Sequence, residues 1–584
     1  MTAPRRTALI AAVLGALSFI SVFVAQKNAG VARDEVDYMV AGTRYANFWV
    51  DFWEFKNGVT EVENITRHFG GTAATANNRE HPPLLKTMFG FSERWFHQKL
   101  GWMSSLSAYR LPTCVLNAVL VMLVFLFTRS LWGEPEAVIS ALLTLFLPRA
   151  FFHAGLATFD AAVVTMWVAT IFAYYKALDS RSWCVVLGVV FGLALATKHN
   201  AILLPVPLLA HYITIAVLTA RRERQPGQRI GTTIIAAFSR LRGQQPWIVV
   251  ALALIGPCVL IALWPWMWFK TSEHLSAWIT FHLHHVHYNF EYLGKNWNTP
   301  PFPVHVPIVT TLFTVPVVTL LAGLIGGVWL VVVARRSHLS ALSLKSPGFL
   351  LFVSAGAAMG PFVLRTTPIF GAEKHFAAAF PTFSIFAGVG VCVSGRLFAD
   401  RLRRHLSSMS WLARHAQWLT IASLGTLAVG AAAVETIDAQ PYALSHYNAL
   451  AGGAPGGADY GMNRQFWGVA ARGILPLIRE HAEAIAPKIL TVYAHDADKT
   501  FGVYRRLGLV PDNVRVAKRE MAGIRSSDLA IVIHELHFNR HDYLIWKAYG
   551  SVAPIAVLRT DGVPIVSVYA RQRSVLPGAP SPSE

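Results

Sequence analysis

Three carboxylates lie where they can take part in chemistry. Asp34 and Glu35 directly follow the first long apolar run of the chain, and Asp160 opens a later one. A positioned carboxylate can act as a general base, and an acid at the end of an apolar run marks a functional site by default because it is costly there. Taken alone, Asp34 and Glu35 would be interpreted as a solvated pair at the membrane exit. With the groups described next, the three are candidate catalytic residues.

The string EHPPLLK, residues 80–86, holds further reactive groups. Its two consecutive prolines, Pro82 and Pro83, stiffen the backbone as an extended element. That stiffness would hold His81 and Lys86 in fixed relative positions. We therefore predict that His81, Pro82 and Pro83 line a substrate site and that Lys86 binds phosphate.

Cationic groups recur at the ends of apolar runs. The candidates for binding a phosphate group are Arg110, Lys198, His199, Lys86 and Lys374. Preorganised positive charge stabilises a departing phosphate, and arginine contacts phosphate through two parallel hydrogen bonds. Glu373 and His375 flank Lys374 and are candidates for lining the same site. The alternative is that these cations anchor the chain at a membrane interface.

The segment from 281 to 305 is rich in histidine and aromatic residues. Its closely spaced histidines are His282, His284, His285 and His287. Histidine is the commonest metal ligand, but no carboxylate–histidine motif of helical spacing accompanies them, so no metal is predicted. We interpret the segment as an outer loop at the mouth of a substrate site. His285, Tyr288 and Trp297 are its candidate lining residues.

Composition indicates a membrane protein. Of 584 residues, 54% are hydrophobic and 14% are charged, and the mean hydropathy is +0.43; a soluble chain carries roughly 25% charged residues. The net charge of +19 resides largely in short loops such as residues 221–242. That distribution is the positive-inside pattern of a multi-pass protein, and nucleic acid is not needed to explain it.

The four cysteines form no C-x-x-C pair, so neither a zinc site nor a disulfide framework is indicated.

Eleven membrane spans are predicted. The first runs from Ala8 to Ala25; a signal peptide is the alternative reading of that run. The others are at about 108–128, 136–152, 159–178, 183–197, 200–219, 247–268, 306–334, 348–365, 376–395 and 417–436. Basic loops place the N-terminus in the cytoplasm, and every candidate site residue then falls on the outer side. Residues 26–107 form a first outer loop with helices on the membrane surface, and residues 269–305 form a second.

Residues 437–584 lose the long apolar runs. KILTVYAHD and SDLAIVIHE have the composition of strands, and FWGVAARGILPLIREHA is an amphipathic helix. We predict a small α/β domain outside the membrane, following a catalytic transmembrane domain of residues 1–436. Residues 441–468, rich in glycine and aromatics, form either a connector or a contact with an acceptor. A membrane span rather than a strand precedes them, which argues against a nucleotide-binding loop.

These motifs resemble a known family. Asp34-Glu35 after the first span, then His81-Pro82-Pro83-Leu84 with a lysine two residues on, is similar to the dolichyl-phosphate-mannose protein mannosyltransferases and their bacterial relatives, including the lipid A aminoarabinose transferases. Arg110, Asp160, Lys198-His199 and the segment PYALSHYNALAGGAPGGADYGMNRQFWG extend the likeness. It implies a GT-C fold of the family 39 type. The β-trefoil insertion of the mannosyltransferases proper is not evident in this sequence.

The resemblance implies an inverting, single-displacement glycosyltransferase in the cytoplasmic membrane. The donor is expected to be a polyprenyl-phosphate sugar, used as a substrate, with no cofactor or metal required. Asp34 would be the base, and Glu35 or Asp160 would orient the acceptor or support Asp34. The acceptor is a hydroxyl of a protein, lipid or glycan; protein O-glycosylation and lipid A modification are both compatible. A flippase for lipid-linked sugars is the alternative, although transporters tend to have duplicated halves and charges at the midplane. A scaffold without activity is a third.

Overall fold

The computed structural model describes residues 3–70, 78–223, 231, 245–336, 346–405, 411–495, 497–518 and 520–571. Most of the basic loop 221–242 and the Pro/Ser-rich tail lie outside these residues. The predicted class, a polytopic α-helical membrane protein with a small C-terminal α/β domain, is confirmed in the described part of the chain.

Long apolar helices dominate the N-terminal three quarters of the chain. The α-helices there are α1 Ala3–Ala25, α2 Arg33–Trp53, α3 Val62–Phe69, α4 Leu84–Ser92, α5 Ser105–Leu131, α6 Glu134–Leu145, α7 Pro148–Ala154, α8 Asp160–Ala177, α9 Arg181–Thr197, α10 Pro205–Glu223, α11 Gln245–Val250, α12 Gly256–Leu263, α13 Thr271–Leu283, α14 Val306–Thr314, α15 Val317–Arg336, α16 Pro347–Met359, α17 Phe380–His405 and α18 Trp411–Asp438. A π-helical segment joins α11 to α12, and another, Glu93–Lys99, continues α4.

Seven helical stretches among the described residues are long and apolar enough to cross a membrane, and the bent pair α6–α7 raises the number to eight. The predicted number of eleven spans is therefore not confirmed. Helix α9 has 17 residues and α16 has 13, which is short for a span. Helix α8 is longer, but Asp160, Lys176 and its threonines and tyrosines reduce its hydropathy.

The centre of the bundle depends on close helix contacts. Helix α17 packs against α6, α15 and α18. Gly326 on α15 and Gly390 on α17 bring two backbones together, since a Cβ at either position would lie 1.9 Å from a carbonyl oxygen of the facing helix. The outer helices α2 and α4 meet in the same way: a Cβ on Gly90 would lie 2.0 Å from the carbonyl oxygen of Gly42. This contact fixes α2, which carries the first predicted acids.

The C-terminal domain is a five-stranded mixed sheet with helices. Its strands are β3 Leu490–Ala494, β4 Val514–Val516, β5 Leu529–Ile533, β6 Ala556–Thr560 and β7 Val563–Ala570, in the order β4-β3-β5-β7-β6. The helices from the connector onward are α19 Gly453–Asp459, α20 Leu475–Ala484, α21 Asp498–Arg506, α22 Glu520–Ser526 and α23 Asn539–Tyr549. Strands β4, β3 and β5 are parallel, and β7 is antiparallel to β5 and β6. Both predicted strands and the amphipathic helix are present.

This domain packs directly on the start of α2. Val31 is buried in the same apolar cluster as the core of the sheet, and its backbone N–H donates to the Tyr504 hydroxyl over 2.8 Å. The backbone N–H of Arg33 donates to the carbonyl of Trp467 over 3.1 Å. The start of α2 is thus held between the membrane helices and the C-terminal domain.

Residues 269–305 contain more regular structure than the predicted loop. Helix α13 covers their first part, and strands β1 Phe290–Tyr292 and β2 Lys295–Trp297 form a hairpin. Leu293 and Gly294 connect the strands with positive φ angles of 50° and 74°. Positive φ at both central residues is the requirement of a type I′ turn, which matches the twist of paired strands.

Candidate active site

One cavity, of about 490 Å³, collects most of the predicted site residues. Nine of them line it: Asp34, His81, Asp160, Lys198, His199, His285, Tyr288, Lys374 and His375. They come from the start of α2, the loop before α4, the facing ends of α8 and α9, the segment after α13 and the loop before α17. Residues that are distant in the sequence therefore share one chamber.

Asp34 lies in the first turn of α2 and is open to this cavity. Its carboxylate is 3.6 Å from the guanidinium of Arg33, and 29% of its side chain is exposed. The amino end of a helix favours a negative charge, because unpaired N–H groups point toward it. Asp34 is thus a carboxylate that a substrate hydroxyl can reach.

Asp160 and Lys198 form a nearly buried ion pair in the cavity wall. The Lys198 Nζ donates to the Asp160 Oδ1 over 2.7 Å. Asp160 begins α8, and Lys198 is the extended residue that ends α9. Two predicted residues with opposite charges therefore meet, and Lys198 has a carboxylate partner before any phosphate arrives.

The predicted roles of Glu35 and Arg110 are corrected by their surroundings. Both side chains are completely buried, and Arg110 donates two hydrogen bonds of 2.9 and 2.8 Å to the Glu35 carboxylate. Its remaining donors reach the backbone carbonyls of Gln26, Ala29 and Gly30. Neither residue lines the cavity. The pair instead fastens the segment after α1 to α5, so Arg110 has no hydrogen-bonding group free for phosphate and Glu35 none free for acceptor.

Lys86 is likewise a structural residue rather than a phosphate ligand. Its ammonium is fully buried and donates to the carbonyls of Asn78 and His81 over 2.5 and 2.8 Å. It also contacts the Tyr45 hydroxyl over 3.2 Å. These bonds position the loop that carries His81. The neighbouring Pro82 and Pro83 are buried and do not line the cavity.

The Lys374 ammonium contacts aromatic rings in the cavity. Among the described residues it forms no ion pair with a carboxylate. Its Nζ lies 4.0 Å from the ring centre of Trp467 and 4.8 Å from that of Phe466. Burial lowers the pKa of Lys374, and the carboxylates of Asp160 and Asp34 partly offset this, leaving it at about 8. A cation held by ring faces attracts an anion such as phosphate without first having to break an ion pair.

Glu373 and Trp297 point away from the cavity, which corrects their predicted roles. Glu373 is bound to Arg149 over 3.0 Å with both side chains buried. Burial raises the pKa of the Glu373 carboxyl, but the Arg149 guanidinium outweighs this and brings it down to about 2. Trp297 belongs to the β1–β2 hairpin, where its ring lies 4.1 Å from the Lys295 ammonium. The other predicted aromatic of that segment, Tyr288, does line the cavity.

Among the described residues, three histidines of the cavity lie close enough together to be considered for a metal ion. His81, His199 and His282 each offer a ligand nitrogen, and these atoms lie within 4.8 Å of one another. Burial lowers the pKa of His282 to about 4 and that of His81 well below its ordinary value. These imidazoles are therefore neutral near pH 7. His284, predicted as part of the same cluster of histidines, lies outside the cavity and is exposed.

Sequence reasoning missed several residues of the cavity. They are Arg33, Asp37, Asn78, Asn200, Phe466, Trp467, Lys499 and Glu535. Lys499 and Glu535 belong to the C-terminal domain, and Lys499 is 3.1 Å from Asp37. No local signal in the sequence marks them, because their place depends on how that domain docks. Phe466 and Trp467 belong to the connector of residues 441–468, whose aromatic residues are the signal for the predicted alternative of an acceptor contact.

A comparison with protein families supports the motif-level resemblance. Residues 80–241 match the family model described as dolichyl-phosphate-mannose-protein mannosyltransferase. This range includes His81, Asp160 and Lys198 of the cavity. The resemblance of the chain to the mannosyltransferase superfamily is thereby confirmed, and the matched family is one of glycosyltransferases.

Solved structures of ArnT from Cupriavidus metallidurans are also similar to the chain. The apo structure is 14% identical with a TM-score of 0.44. The structure bound to undecaprenyl phosphate is 13% identical with a TM-score of 0.42. Each comparison covers 95% of this chain and 97% of the ArnT chain. No curated protein sequence matches the chain significantly.

Proposed function

We propose that the chain is an inverting glycosyltransferase that moves a sugar from a polyprenyl-phosphate carrier to an acceptor hydroxyl. The observation that carries this proposal is the presence of an accessible carboxylate, Asp34, and a ring-held cation, Lys374, in one cavity. The family match over residues 80–241 supports the transferase class. The donor lipid, its membrane and the orientation of the chain follow from the sequence resemblance and the positive-inside pattern.

The reaction proceeds in one displacement. Asp34 accepts the proton of the acceptor hydroxyl as its oxygen attacks the anomeric carbon from the face opposite the phosphate. The bond between the anomeric carbon and the phosphate oxygen breaks, and the electron pair leaves with polyprenyl phosphate. Attack from the opposite face inverts the anomeric configuration, and no sugar becomes attached to the protein.

The positive side chains stabilise the leaving phosphate. The phosphate becomes more negative as its bond to the sugar breaks, so its attraction to the Lys374 ammonium increases. The donor phosphate can also compete with Asp160 for Lys198. Such fixed charges act without reorganisation during the reaction, which makes them effective in a site shielded from water. Asp160 and Asp37 remain as carboxylates that can accept hydrogen bonds from sugar hydroxyls.

The C-terminal domain contributes to the acceptor side. Its Lys499 and Glu535 line the cavity, and Lys499 pairs with Asp37 on α2. An acceptor that is a protein, lipid or glycan outside the cytoplasmic membrane would contact these side chains if it entered beside this domain. We therefore assign acceptor selection to this wall and donor binding to Lys198 and Lys374.

Turnover of purified protein tests the proposal. Detergent-solubilised wild type and Asp34→Asn are incubated with a panel of radiolabelled polyprenyl-phosphate sugars, and free polyprenyl phosphate and transferred label are measured. Loss of the base is expected to reduce turnover by about 10²–10⁴-fold. Asp51→Asn is the matched control, because Asp51 lies on the same helix, pairs with Lys56 and does not line the cavity.

Two results would contradict the proposal. One is equal turnover by wild type and Asp34→Asn. The other is the absence of turnover with every donor, combined with movement of labelled lipid across liposomes that contain the wild type. The second result would establish the flippase instead.

A further inference from the structure

Helix α7 carries two buried polar residues that the proposed reaction does not use. Arg149 and His153 are 6% and 4% exposed. They are four residues apart, so they lie on the same face of the helix, one turn from each other. A residue before proline avoids the helical region; Leu147 is extended, Pro148 begins α7, and α7 runs at 72° to α6. The polar face of α7 contacts the loop before α17 and the connector of residues 441–468.

Arg149 joins two segments that are distant in the sequence. Its Nη1 donates to the Glu373 carboxylate over 3.0 Å, and its Nε and Nη2 donate to the backbone carbonyl of His446 over 3.1 and 3.0 Å. Its guanidinium carbon also lies 4.6 Å from the ring centre of Tyr447. A guanidinium is planar and rigid, so these contacts fix their partners in direction as well as in distance. One side chain therefore holds the loop before α17 against the start of the connector.

His153 connects the same carboxylate to the ring beside the Lys374 ammonium. Its Nε2 lies 3.9 Å from the other oxygen of Glu373. Its ring meets the ring of Trp467 edge to face, with centroids 5.6 Å apart. Glu373 directly precedes Lys374 in the chain, and Trp467 lies 4.0 Å from the Lys374 ammonium. The two residues of α7 thus contact both the chain neighbour and the aromatic partner of this lysine.

Both segments that build the lysine–tryptophan contact contain a strained residue. Ala372 has a φ angle of 46°, and Trp467 has a φ angle of 65°. Residues other than glycine rarely adopt positive φ, and a residue as bulky as tryptophan does so least readily. Such conformations persist only where the surrounding structure fixes them, and they cluster at functional sites. The contacts of Arg149 and His153 supply part of that restraint.

We propose that Arg149 and His153 are positioning residues, which hold the Lys374 ammonium over the ring of Trp467 and so present it to the donor phosphate. Neither of them lines the cavity, so neither touches the phosphate itself. Arg149 sets the place of the loop, and His153 sets the place of the ring. The effect on donor use rests on the proposed function, whereas the placement of Lys374 does not. The two can therefore fail separately.

A purely structural role is the alternative, and the Arg110–Glu35 pair provides the comparison. It too buries an arginine on a glutamate and on backbone carbonyls without lining the cavity. It fastens α5 to the start of α2, however, and not the segments that carry Lys374 and Trp467. Arg110→Ala is therefore the matched control for Arg149→Ala, because it removes a buried ion pair and leaves the surroundings of the lysine in place.

The placement of Lys374 is measured without a donor. Full-length protein in detergent is treated with trace acetic anhydride across a range of pH, and acetylation of Lys374 is followed by mass spectrometry. Only the neutral amine reacts, so the profile gives the pKa of Lys374, which burial lowers from 10.5 to about 8. Arg149→Ala and His153→Ala should raise this pKa toward 10.5, because an ammonium released from the rings gains water. Arg110→Ala should leave it unchanged.

His153→Phe is the conservative variant of the second position. It keeps an aromatic edge against Trp467 and loses the nitrogen that faces Glu373. Its Lys374 pKa should therefore stay closer to that of wild type than the pKa in His153→Ala. Should Arg149→Ala fail to fold, Arg149→Lys takes its place, because an ammonium keeps the charge beside Glu373 but cannot reproduce the fork of hydrogen bonds.

Donor turnover tests the use of this placement. Arg149→Ala and His153→Ala should lower kcat/KM for donor by up to about 10²-fold, the size of effect that a small misplacement produces. Adding either change to Lys374→Met should cause no further loss, because the shared partner is already gone. Thermal stability in detergent is measured for each variant, so that a loss of folded protein is not counted as a loss of turnover.

Three results would overturn the inference or a part of it. Lys374 pKa values in the α7 variants that equal those of wild type and Arg110→Ala would show a structural role only. A Lys374 that is not acetylated in folded wild type would show that its amine is not open to the cavity, and the inference would fall. A shifted pKa with unchanged donor kcat/KM would leave the placement standing and overturn its use for the phosphate.

Discussion

The Lys198 ammonium donates to the Asp160 carboxylate over 2.7 Å, and only 8% of each side chain is exposed. Because both side chains are nearly buried, each charge depends on the other, since an unpaired buried charge is costly. The pair joins the start of α8 to the end of α9 at the cavity wall. It is therefore at once part of the fold and part of the site.

The two contributions can be separated with a double variant. Lys198→Met leaves the Asp160 carboxylate without its partner and should cost about 3–5 kcal/mol of stability, together with most turnover. Asp160→Asn combined with Lys198→Met removes both charges and should recover much of the stability but none of the turnover. Thermal stability in detergent and donor turnover are measured for wild type, the single variants Lys198→Met and Asp160→Asn, and the double variant. Recovery of turnover in the double variant would show that the pair is structural only.

Much of the site was predictable, because its charged groups lie at the ends of apolar runs. That position predicts site roles for Asp34, Asp160, Lys198 and Lys374, and all four line the cavity. The fold class was predictable for a related reason, since long uncharged runs are bilayer spans and the shift of composition near residue 437 marks a new domain. The exact number of spans was not, because helices such as α8 combine apolar and polar residues.

The predicted roles that the structure does not support belong to charged groups that are buried and already bonded within the protein. Arg110 and Glu35 are 75 residues apart in the chain, and no pattern in the sequence shows that they meet. A buried cation and a solvent-accessible cation cannot be distinguished in a sequence. The sequence therefore predicts phosphate binding for Arg110 and Lys86 as well. The contributions of Lys499 and Glu535 depend on domain docking and have no local signal at all.

The Arg110–Glu35 pair predicts a loss of stability without a specific loss of donor binding. Arg110→Ala leaves Glu35 buried without a partner, and we expect a cost of about 3–5 kcal/mol. Arg110→Lys should also destabilise, because an ammonium cannot make the two parallel bonds. Thermal stability in detergent and the KM for donor are measured, with Asp34→Asn as the adjacent control that keeps stability. A stable Arg110→Ala protein with a raised donor KM would restore the phosphate role.

The lowered pKa of Lys374 predicts that donor use depends on pH. Its pKa is lowered from 10.5 to about 8, so it is charged below that pH and loses its proton above it. Because the charged form is the one that binds phosphate, kcat/KM for donor should fall as the pH rises through about 8, since this ratio reports groups of the free enzyme. Lys374→Met should have a lower kcat/KM at pH 7 and lack this descending limb. The same limb in wild type and variant would assign it to another group.

Gly371 predicts that the position of Lys374, and not only its charge, is required. The lysine side chain passes directly over this glycine, so a Cβ there would lie 1.9 Å from the Lys374 Cε. Gly371→Ala should therefore displace the ammonium from the rings of Trp467 and Phe466 and lower donor kcat/KM toward that of Lys374→Met. Gly356→Ala is the matched control, because nothing lies within 4 Å of its added Cβ.

A variant that combines Gly371→Ala with Lys374→Met shows whether Gly371→Ala acts by displacing the Lys374 side chain or by disturbing the site in another way. If Gly371→Ala acts through Lys374, adding it to Lys374→Met should cause no further loss of kcat/KM, because the shared partner is already gone. A further loss of similar size in the combined variant would mean that Gly371 matters for another reason. Thermal stability in detergent is measured alongside, since a displaced but folded loop should leave it close to that of Gly356→Ala.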